Sequence, residues 1–159
     1  MTTLVYRDGV LCGESFCIED TGENAMVSHR QKVHLSKGKT IAYGLCGYFP
    51  DKRFDVFDFI KDMAKAITGG EEPKPIEGCD FFLIVMLKDM VFTMKNDNSG
   101  CKFAMLNDDS YIAYGTGSSL ANSILVNGGT ALDAIQHAML FDPCSAGDIT
   151  VVKRTNMRK

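Results

Sequence analysis

The chain opens with short, weakly alternating apolar segments bounded by turn residues, which is a pattern typical of β-strands. Short apolar runs at 3–7 and 10–13 flank the dipeptide Asp8-Gly9. This dipeptide favours a type I′ turn, because both of its residues tolerate a positive φ. The pattern therefore predicts a hairpin whose open end places Thr3 opposite Glu14.

A second pair of short strands is predicted further along the chain. Apolar runs at 31–35 and 40–46 are separated by a polar turn at 36–39. The segment 17–28, between the hairpin and this pair, is rich in polar residues, and we predict a loop there. The opening of the chain is thus expected to contain four strands.

The apolar spacing then changes to that of helices. Between 51 and 67, apolar residues recur at intervals of three or four until Gly69-Gly70 ends the pattern. Two further helices are predicted, one at 119–126 and one that begins after Thr130. Thr130 is a good N-cap residue, and Pro143 ends the last helix.

Strands fill the segments between these helices. The run 81–87 is apolar at every position, which is typical of a strand buried on both faces. Blocks of strands separated by blocks of helices indicate the α+β class, with antiparallel sheets covered by helices. We expect one domain over 1–159, with 153–159 as a frayed polar tail. The remaining strands are predicted at 90–94, 102–106, 111–114 and 148–152.

Composition narrows the possible functions. The 159 residues include 17 Lys and Arg against 20 Asp and Glu, a net charge of −3, which argues against a nucleic-acid partner. The chain lacks an apolar run of about 18 residues, and its start lacks a signal-peptide pattern, so we expect a cytoplasmic protein without a membrane partner. The six cysteines show no CxxC spacing, so we expect neither a metal site nor a disulfide framework.

The start of the chain carries candidate chemistry. Methionine aminopeptidase normally removes a methionine that precedes a small residue, and Met1 precedes Thr2. Thr2 would then hold a free α-amine beside its own hydroxyl. Such an amine titrates at about 7.7–8.0, so it can act as a base near neutral pH and activate the hydroxyl as a nucleophile.

Five landmarks in the sequence strengthen this hypothesis. The landmarks are Gly13-Glu14-Ser15, Arg30-Gln31-Lys32-Val33, Leu45-Cys46-Gly47-Tyr48, Gly115-Thr116-Gly117 and Asp142-Pro143-Cys144-Ser145-Ala146-Gly147. In the order of these landmarks the chain resembles proteasome β-type subunits and bacterial proteasome-like peptidases, which are N-terminal nucleophile hydrolases. The resemblance runs from residue 2 to about residue 152, and no single landmark is specific.

The resemblance implies a fold and a biochemical role. The implied fold is a four-layer αββα sandwich of two antiparallel sheets flanked by helices. The implied activity is a threonine peptidase that cleaves peptide or protein substrates and needs no cofactor. The resemblance further implies a homo-oligomer, in the form of a ring, and an ATP-dependent unfoldase as a possible partner.

The resemblance also assigns roles to individual residues. Thr2 Oγ would attack the substrate carbonyl, and Lys32 would stabilise negative charge at that oxygen. Glu14 would pair with Lys32, and the Gly47 N–H would donate to the oxyanion. The hydrogen-bonding group around the Thr2 amine would consist of Thr116, Asp142 and Ser145.

Two departures from the family keep other functions open. Glu14 stands where the family has Asp, and the region before residue 80 has room for one long helix where the family has two. If Met1 is retained, Thr2 has no free amine and the mechanism fails. The alternatives are therefore a non-catalytic assembly or binding protein of the same fold, and an amidase that acts on a small amide.

Overall fold

The computed structural model describes residues 2–20, 25–48, 55–71, 74 and 76–159, with the backbone alone for 18–20, 25–26 and 48. The strands are β1 Thr3–Arg7, β2 Val10–Glu14, β3 Phe16–Asp20, β4 Ala25–His29, β5 Val33–Leu35, β6 Ile41–Tyr48, β7 Asp80–Leu87, β8 Val91–Asp97, β9 Gly100–Leu106, β10 Tyr111–Gly115 and β11 Ile149–Lys153. The helices are α1 Val56–Thr68, α2 Ser118–Val126 and α3 Ala131–Phe141, and a turn of 3-10 helix spans Arg154–Asn156.

Two antiparallel sheets pack face to face between helical layers. One sheet has the strand order β10-β1-β2-β11, and the other has the order β5-β6-β7-β8-β9. Helices α2 and α3 cover the outer face of the first sheet, and α1 covers the outer face of the second. The predicted αββα sandwich is therefore confirmed. Within the described ranges, no helix is long and apolar enough to cross a membrane.

Strand β1 shows how the sequence builds these layers. Successive side chains of a strand point to opposite faces of its sheet. Leu4 and Tyr6 are buried in the core between the two sheets, whereas Val5 is buried against α2 and α3. The same alternation extends to the two threonines that precede Leu4, and it decides which way each of them faces.

The first hairpin matches its prediction. Leu4 pairs with Gly13, and the ladder continues to Arg7 opposite Val10. The two turn residues, Asp8 and Gly9, have φ values of 50° and 73°, as a type I′ turn requires. At the open end, the Thr3 N–H donates to Glu14 Oε1 at 2.8 Å.

The predicted helix caps and ends are confirmed within the described residues. Thr130 caps α3 through a capping box with Asp133, and α3 ends at Phe141 before Pro143. Asp55 caps α1 and accepts from two N–H groups of its first turn. The predicted start of this helix at 51–54 lies outside the described residues.

The predicted loop at 17–28 is wrong for most of its length. Strands β3 and β4 form a separate two-stranded sheet, in which Cys17 pairs with Ser28 and Ile18 pairs with Val27. Val27 is 58% exposed, although it lies within a strand. The polar residues of this segment are typical of a loop, but its backbone is paired.

The C-terminal tail does not fray as predicted. Met157 is 4% exposed and packs in the core between the sheets. The Arg154 N–H donates to Gly9 O at 2.7 Å, and the Arg158 N–H donates to Lys39 O at 2.8 Å. Because the tail is mostly basic and polar, its composition did not indicate that Met157 would be buried and hold it in place.

Candidate active site

Thr2 lies at the start of β1, where the first sheet opens. It is 3% exposed, and its carbonyl oxygen accepts from the Thr116 N–H at 3.2 Å. Gly115 approaches this carbonyl so closely that a Cβ at Gly115 would lie 1.5 Å from Thr2 O. The glycine of the Gly115-Thr116-Gly117 motif therefore allows β10 to hold the first residues of the chain.

A cleft of about 470 Å³ opens beside Thr2 between the ends of the two sheets. Cys46 lines it from the second sheet, and a side-chain hydrogen bond links Thr2 to the Cys46 thiol. Burial raises the pKa of this thiol, so it is a neutral group near pH 7. The residues around the cleft are Thr2, Cys46, Tyr114, Gly115, Thr116 and Ser118.

Thr3 faces the opposite way, toward the helices, and is completely buried. Its hydroxyl lies 2.6 Å from Ser145 Oγ and accepts from the Gly117 N–H at 3.0 Å. Of the two adjacent threonines, only Thr2 therefore lines the cleft that a substrate could enter.

Asp142 and Ser145 form a short hydrogen-bonded unit after α3. Ser145 Oγ donates to Asp142 Oδ2 at 2.7 Å, and the Cys144 N–H donates to Asp142 Oδ1 at 3.0 Å. Burial raises the pKa of Asp142, but hydrogen bonds from Ser145, Cys144 and, most weakly, Thr116 lower it below its usual value overall. Asp142 is therefore a carboxylate at neutral pH.

Glu14 is buried at the open end of the first hairpin. Its Oε1 accepts from the Thr3 N–H at 2.8 Å, and its Oε2 accepts from the Phe16 N–H at 2.5 Å. Burial is the largest influence on Glu14 and raises its pKa, although these hydrogen bonds and the charge of Lys32 oppose that effect. The extra methylene relative to Asp lets the carboxylate bind both backbone groups.

Lys32 and Gly47 approach the cleft from the side of the second sheet. The charge of Lys32 lowers the pKa of both Glu14, at the open end of the first hairpin, and Cys46, in the cleft lining. Among the described residues, no Lys32 nitrogen lies within 4.0 Å of a Glu14 oxygen. Gly47 follows Cys46 at the end of β6 and pairs with Phe81.

The structure brings the sequence-predicted residues to one end of the sandwich. Thr2 and Thr116 line the cleft, and Glu14 and Ser145 contact Thr3, the neighbour of Thr2. Gly47 follows Cys46 of the cleft lining, Asp142 contacts Ser145, and Lys32 is linked to the cleft through its charge alone. Sequence reasoning missed Thr3, which contacts Ser145 directly, and Cys46, which lines the cleft. The signal for Thr3 was the alternation of side chains in the strand before the Asp8-Gly9 turn, which places Thr2 and Thr3 on opposite faces.

Comparison with known proteins identifies the fold. No family model and no curated protein sequence matches the chain. The structure is similar to HslV from Trypanosoma brucei, a proteasome-like N-terminal nucleophile hydrolase, with a TM-score of 0.62, 17% identity, and coverage of 96% of this chain and 98% of HslV. It is also similar to BPH from Thiobacillus denitrificans, in a complex with epoxomicin, with a TM-score of 0.56, 13% identity, and coverage of 96% and 97%. The chain therefore has the fold of the proteasome-like N-terminal nucleophile hydrolases.

Proposed function

We propose that this chain is a threonine-type N-terminal nucleophile hydrolase that cleaves peptide bonds through an acyl-enzyme on Thr2, after removal of Met1. The observation that carries the proposal is the position of Thr2. Thr2 lines the cleft at the mouth of the two sheets, together with Cys46, whose pKa the charge of Lys32 lowers. A hydroxyl in this position can reach a substrate carbonyl, whereas the hydroxyl of Thr3 cannot.

The proposed first half-reaction acylates Thr2. Oγ bonds to the carbonyl carbon of the substrate while the α-amine of Thr2 takes the Oγ proton. The carbonyl π electrons move to oxygen and form an oxyanion. When this intermediate collapses, the C–N bond breaks, and the leaving amine takes the proton from the Thr2 ammonium group. An ester on Oγ remains.

The second half-reaction releases the product. Water attacks the ester while the α-amine takes a proton from it, and collapse of the second intermediate expels Oγ. The ammonium group returns its proton to Oγ, which restores the free enzyme. The products are a carboxylic acid and the amine released earlier, so atoms and charges balance.

The surroundings of Thr2 support this chemistry electrostatically. The Lys32 ammonium group disfavours a protonated neighbouring amine and stabilises negative charge at Oγ. The Gly47 N–H is the proposed donor to the oxyanion, and such a donor typically contributes about 10²–10³-fold to kcat. The carboxylate of Asp142 and the hydroxyl of Thr116 would hold the amine in place.

The resemblance also extends the proposal to assembly. We propose a cytoplasmic homo-oligomer, in the form of a ring, with peptide or protein substrates and an ATP-dependent unfoldase as a candidate partner. Size-exclusion chromatography with light scattering measures the oligomeric state directly. A monomer at micromolar concentration would contradict the proposed homo-oligomer.

Hydrolysis of a fluorogenic peptide panel tests the proposed activity. The wild-type protein is expected to cleave at least one peptide, and Thr2→Ala is expected to abolish this activity because it removes Oγ but keeps the amine. Thr155→Ala is the matched control, since it removes an exposed threonine hydroxyl elsewhere. Cleavage that survives in Thr2→Ala would contradict the proposal.

A second variant tests the role of the amine. Insertion of one glycine between Met1 and Thr2 keeps Oγ but converts the α-amine of Thr2 into an amide. We expect the loss of activity to match that of Thr2→Ala. A set of small acylated amines run beside the peptides distinguishes an amidase from a peptidase, and no turnover of either class would favour the non-catalytic alternative.

A further inference from the structure

The hydroxyl of Thr3 belongs to a hydrogen-bond chain whose direction the geometry fixes. Ser145 Oγ lies 2.7 Å from Asp142 Oδ2, and because a carboxylate only accepts, Ser145 must donate its single proton there. The bond between Thr3 and Ser145 must then be donated by Thr3, at 2.6 Å. The Gly117 N–H in turn donates to Thr3 Oγ at 3.0 Å.

This chain joins the turn after β10 to the loop after α3. The Gly117 N–H, which donates to Thr3 Oγ at 3.0 Å, directly follows Thr116, and Thr116 lines the cleft with Thr2. Ser145 and Asp142 form the other end of the chain. The Thr3 hydroxyl therefore ties together the two segments whose side chains would surround the Thr2 amine.

We propose that Thr3 is a positioning residue, whose hydroxyl orients Ser145, Asp142 and Thr116 so that Thr116 Oγ accepts from the α-amine of Thr2. This inference rests on the proposed function, because it concerns the amine that would act as the base. An amine held in this way points its lone pair toward Thr2 Oγ. Thr3 itself never touches the substrate, because it is completely buried on the other face of β1.

The surroundings of Thr3 explain why a hydroxyl is needed at this position. Thr3 and Ser145 are both at most 1% exposed, so no solvent can replace a lost hydrogen bond. Without the Thr3 hydroxyl, the Gly117 N–H loses its acceptor and Ser145 Oγ loses its donor. The turn that carries Thr116 and the unit of Asp142 and Ser145 would then no longer be held to each other.

The test compares Thr3→Val with Thr3→Ser in protein released from an N-terminal fusion cleaved before Thr2. Valine keeps the shape of threonine but removes the hydroxyl, and serine keeps the hydroxyl. The pKa of the Thr2 amine is measured by the pH dependence of its acetylation with acetic anhydride, read from the mass of the N-terminal peptide. Peptide hydrolysis is measured in parallel.

We expect Thr3→Val to lower the amine pKa by about half a unit, because a lost acceptor destabilises the ammonium form. We also expect kcat to fall by about tenfold or more with little change in KM, because a misplaced base slows the chemical step. Thr3→Ser should restore both values to within about twofold of the wild type. Because Thr3→Val could fold poorly, Ser145→Ala serves as a second variant that breaks the same chain and should shift the amine pKa in the same direction.

The possible outcomes separate this inference from the proposed function. If the wild type does not hydrolyse any amide, the proposed function fails, but the amine pKa still reports on Thr3. If the folded Val variant, or Ser145→Ala in its place, keeps the wild-type amine pKa, Thr3 has only a structural role and the inference is overturned. An amine pKa that Thr3→Ser fails to restore would overturn it as well.

Discussion

At the scale of single residues, the site depends on which face of a strand each side chain takes. Thr2 and Thr3 are chemically identical neighbours, yet one lines the cleft and the other is completely buried among hydrogen-bonding groups. The difference follows from the alternation of β1, whose register is set by the Asp8-Gly9 turn. A shift of one residue in this hairpin would exchange the roles of the two threonines.

The first prediction concerns the thiol that lines the cleft. Burial raises the pKa of Cys46, so iodoacetamide should label it slowly at pH 7.5 and faster as the pH rises, by up to about tenfold per pH unit. Labelling should block access to Thr2 and abolish the proposed peptide hydrolysis. Peptide mapping follows the label, and Cys46→Ala is the control. Equal inactivation of Cys46→Ala would show that another cysteine is responsible.

The second prediction concerns the buried carboxylate. Because burial raises the pKa of Glu14, the folded state binds its proton more tightly than the unfolded chain does. The contribution of Glu14 to stability is therefore greatest below the pKa in the unfolded chain, about 4.3, and decreases as the pH rises through the folded pKa.

Glu14→Gln lacks this titration, so urea unfolding of both proteins between pH 3.5 and about 8 isolates it. Gln can accept only one of the two N–H groups, which should cost about 1–3 kcal/mol. The advantage of the wild type over Glu14→Gln should narrow as the pH rises. An advantage that widens with pH would mean that the hydrogen bonds and Lys32 outweigh burial.

At the scale of elements, the site lies where the ends of several strands and a loop after α3 converge. Thr2 directly precedes β1, β6 supplies Cys46 and Gly47, and the turn after β10 supplies Thr116. The loop after α3 supplies the unit of Asp142 and Ser145. Strands β1 and β6 are each paired on both sides, which suits a site that must hold its groups in fixed positions.

The third prediction concerns the end of β6. Gly47 has a φ of +105°, and a Cβ there would lie 2.2 Å from Asp80 O in the neighbouring strand. Gly47→Ala should therefore cost roughly 2 kcal/mol or more, because it combines backbone strain with a clash. Gly78→Ala is the control, since its φ of +71° carries strain without any atom within 4 Å. Similar losses for the two variants in urea unfolding would contradict the clash.

The sequence predicts those elements whose causes are local. The hairpin follows from Asp8-Gly9, and the start of α3 follows from the Thr130 cap. The ribbon of β3 and β4 was missed, because the polar run at 19–24 interrupts the apolar pattern of its sequence. The lateral pairing of β1 with β10 depends on residues about a hundred positions apart, which no local pattern encodes.

The candidate site also combines features that the sequence predicts with features that it does not. The order of the motifs identified Thr2, Glu14 and Thr116 as neighbours, because the family resemblance carried their arrangement. It did not reveal the contact of Thr3 with Ser145, which joins the two ends of the chain. Nor did it show that Glu14 uses its longer side chain to bind two backbone N–H groups.

At the scale of the whole molecule, the two sheets are joined by a core to which both ends of the chain contribute. Leu4 and Met157 lie in the same cluster between the sheets. The segment after β11 reaches the second sheet, where Arg158 donates to Lys39 O. The C-terminal residues therefore hold the two sheets together at the end that carries the Asp8-Gly9 turn, whereas the cleft lies at the other end of the first hairpin.

The fourth prediction tests this fastening. Met157 is 4% exposed, so Met157→Ala should cost about 2–4 kcal/mol in unfolding free energy. Met105→Ala is the matched control, because Met105 is 45% exposed on β9 and should lose less than about 1 kcal/mol. Equal losses in urea unfolding would mean that the tail is not anchored in the core.

The proposed activity requires that Thr2 act as a nucleophile through its own α-amine. The intact mass of the untagged protein tests this, before and after incubation with epoxomicin, the compound bound in the Thiobacillus denitrificans BPH structure. We expect a mass lower by one methionine residue, and then one added epoxomicin on the N-terminal peptide that Thr2→Ala abolishes. A full-length mass with Met1 retained would overturn the proposed function, because Thr2 would then have no amine to serve as its base.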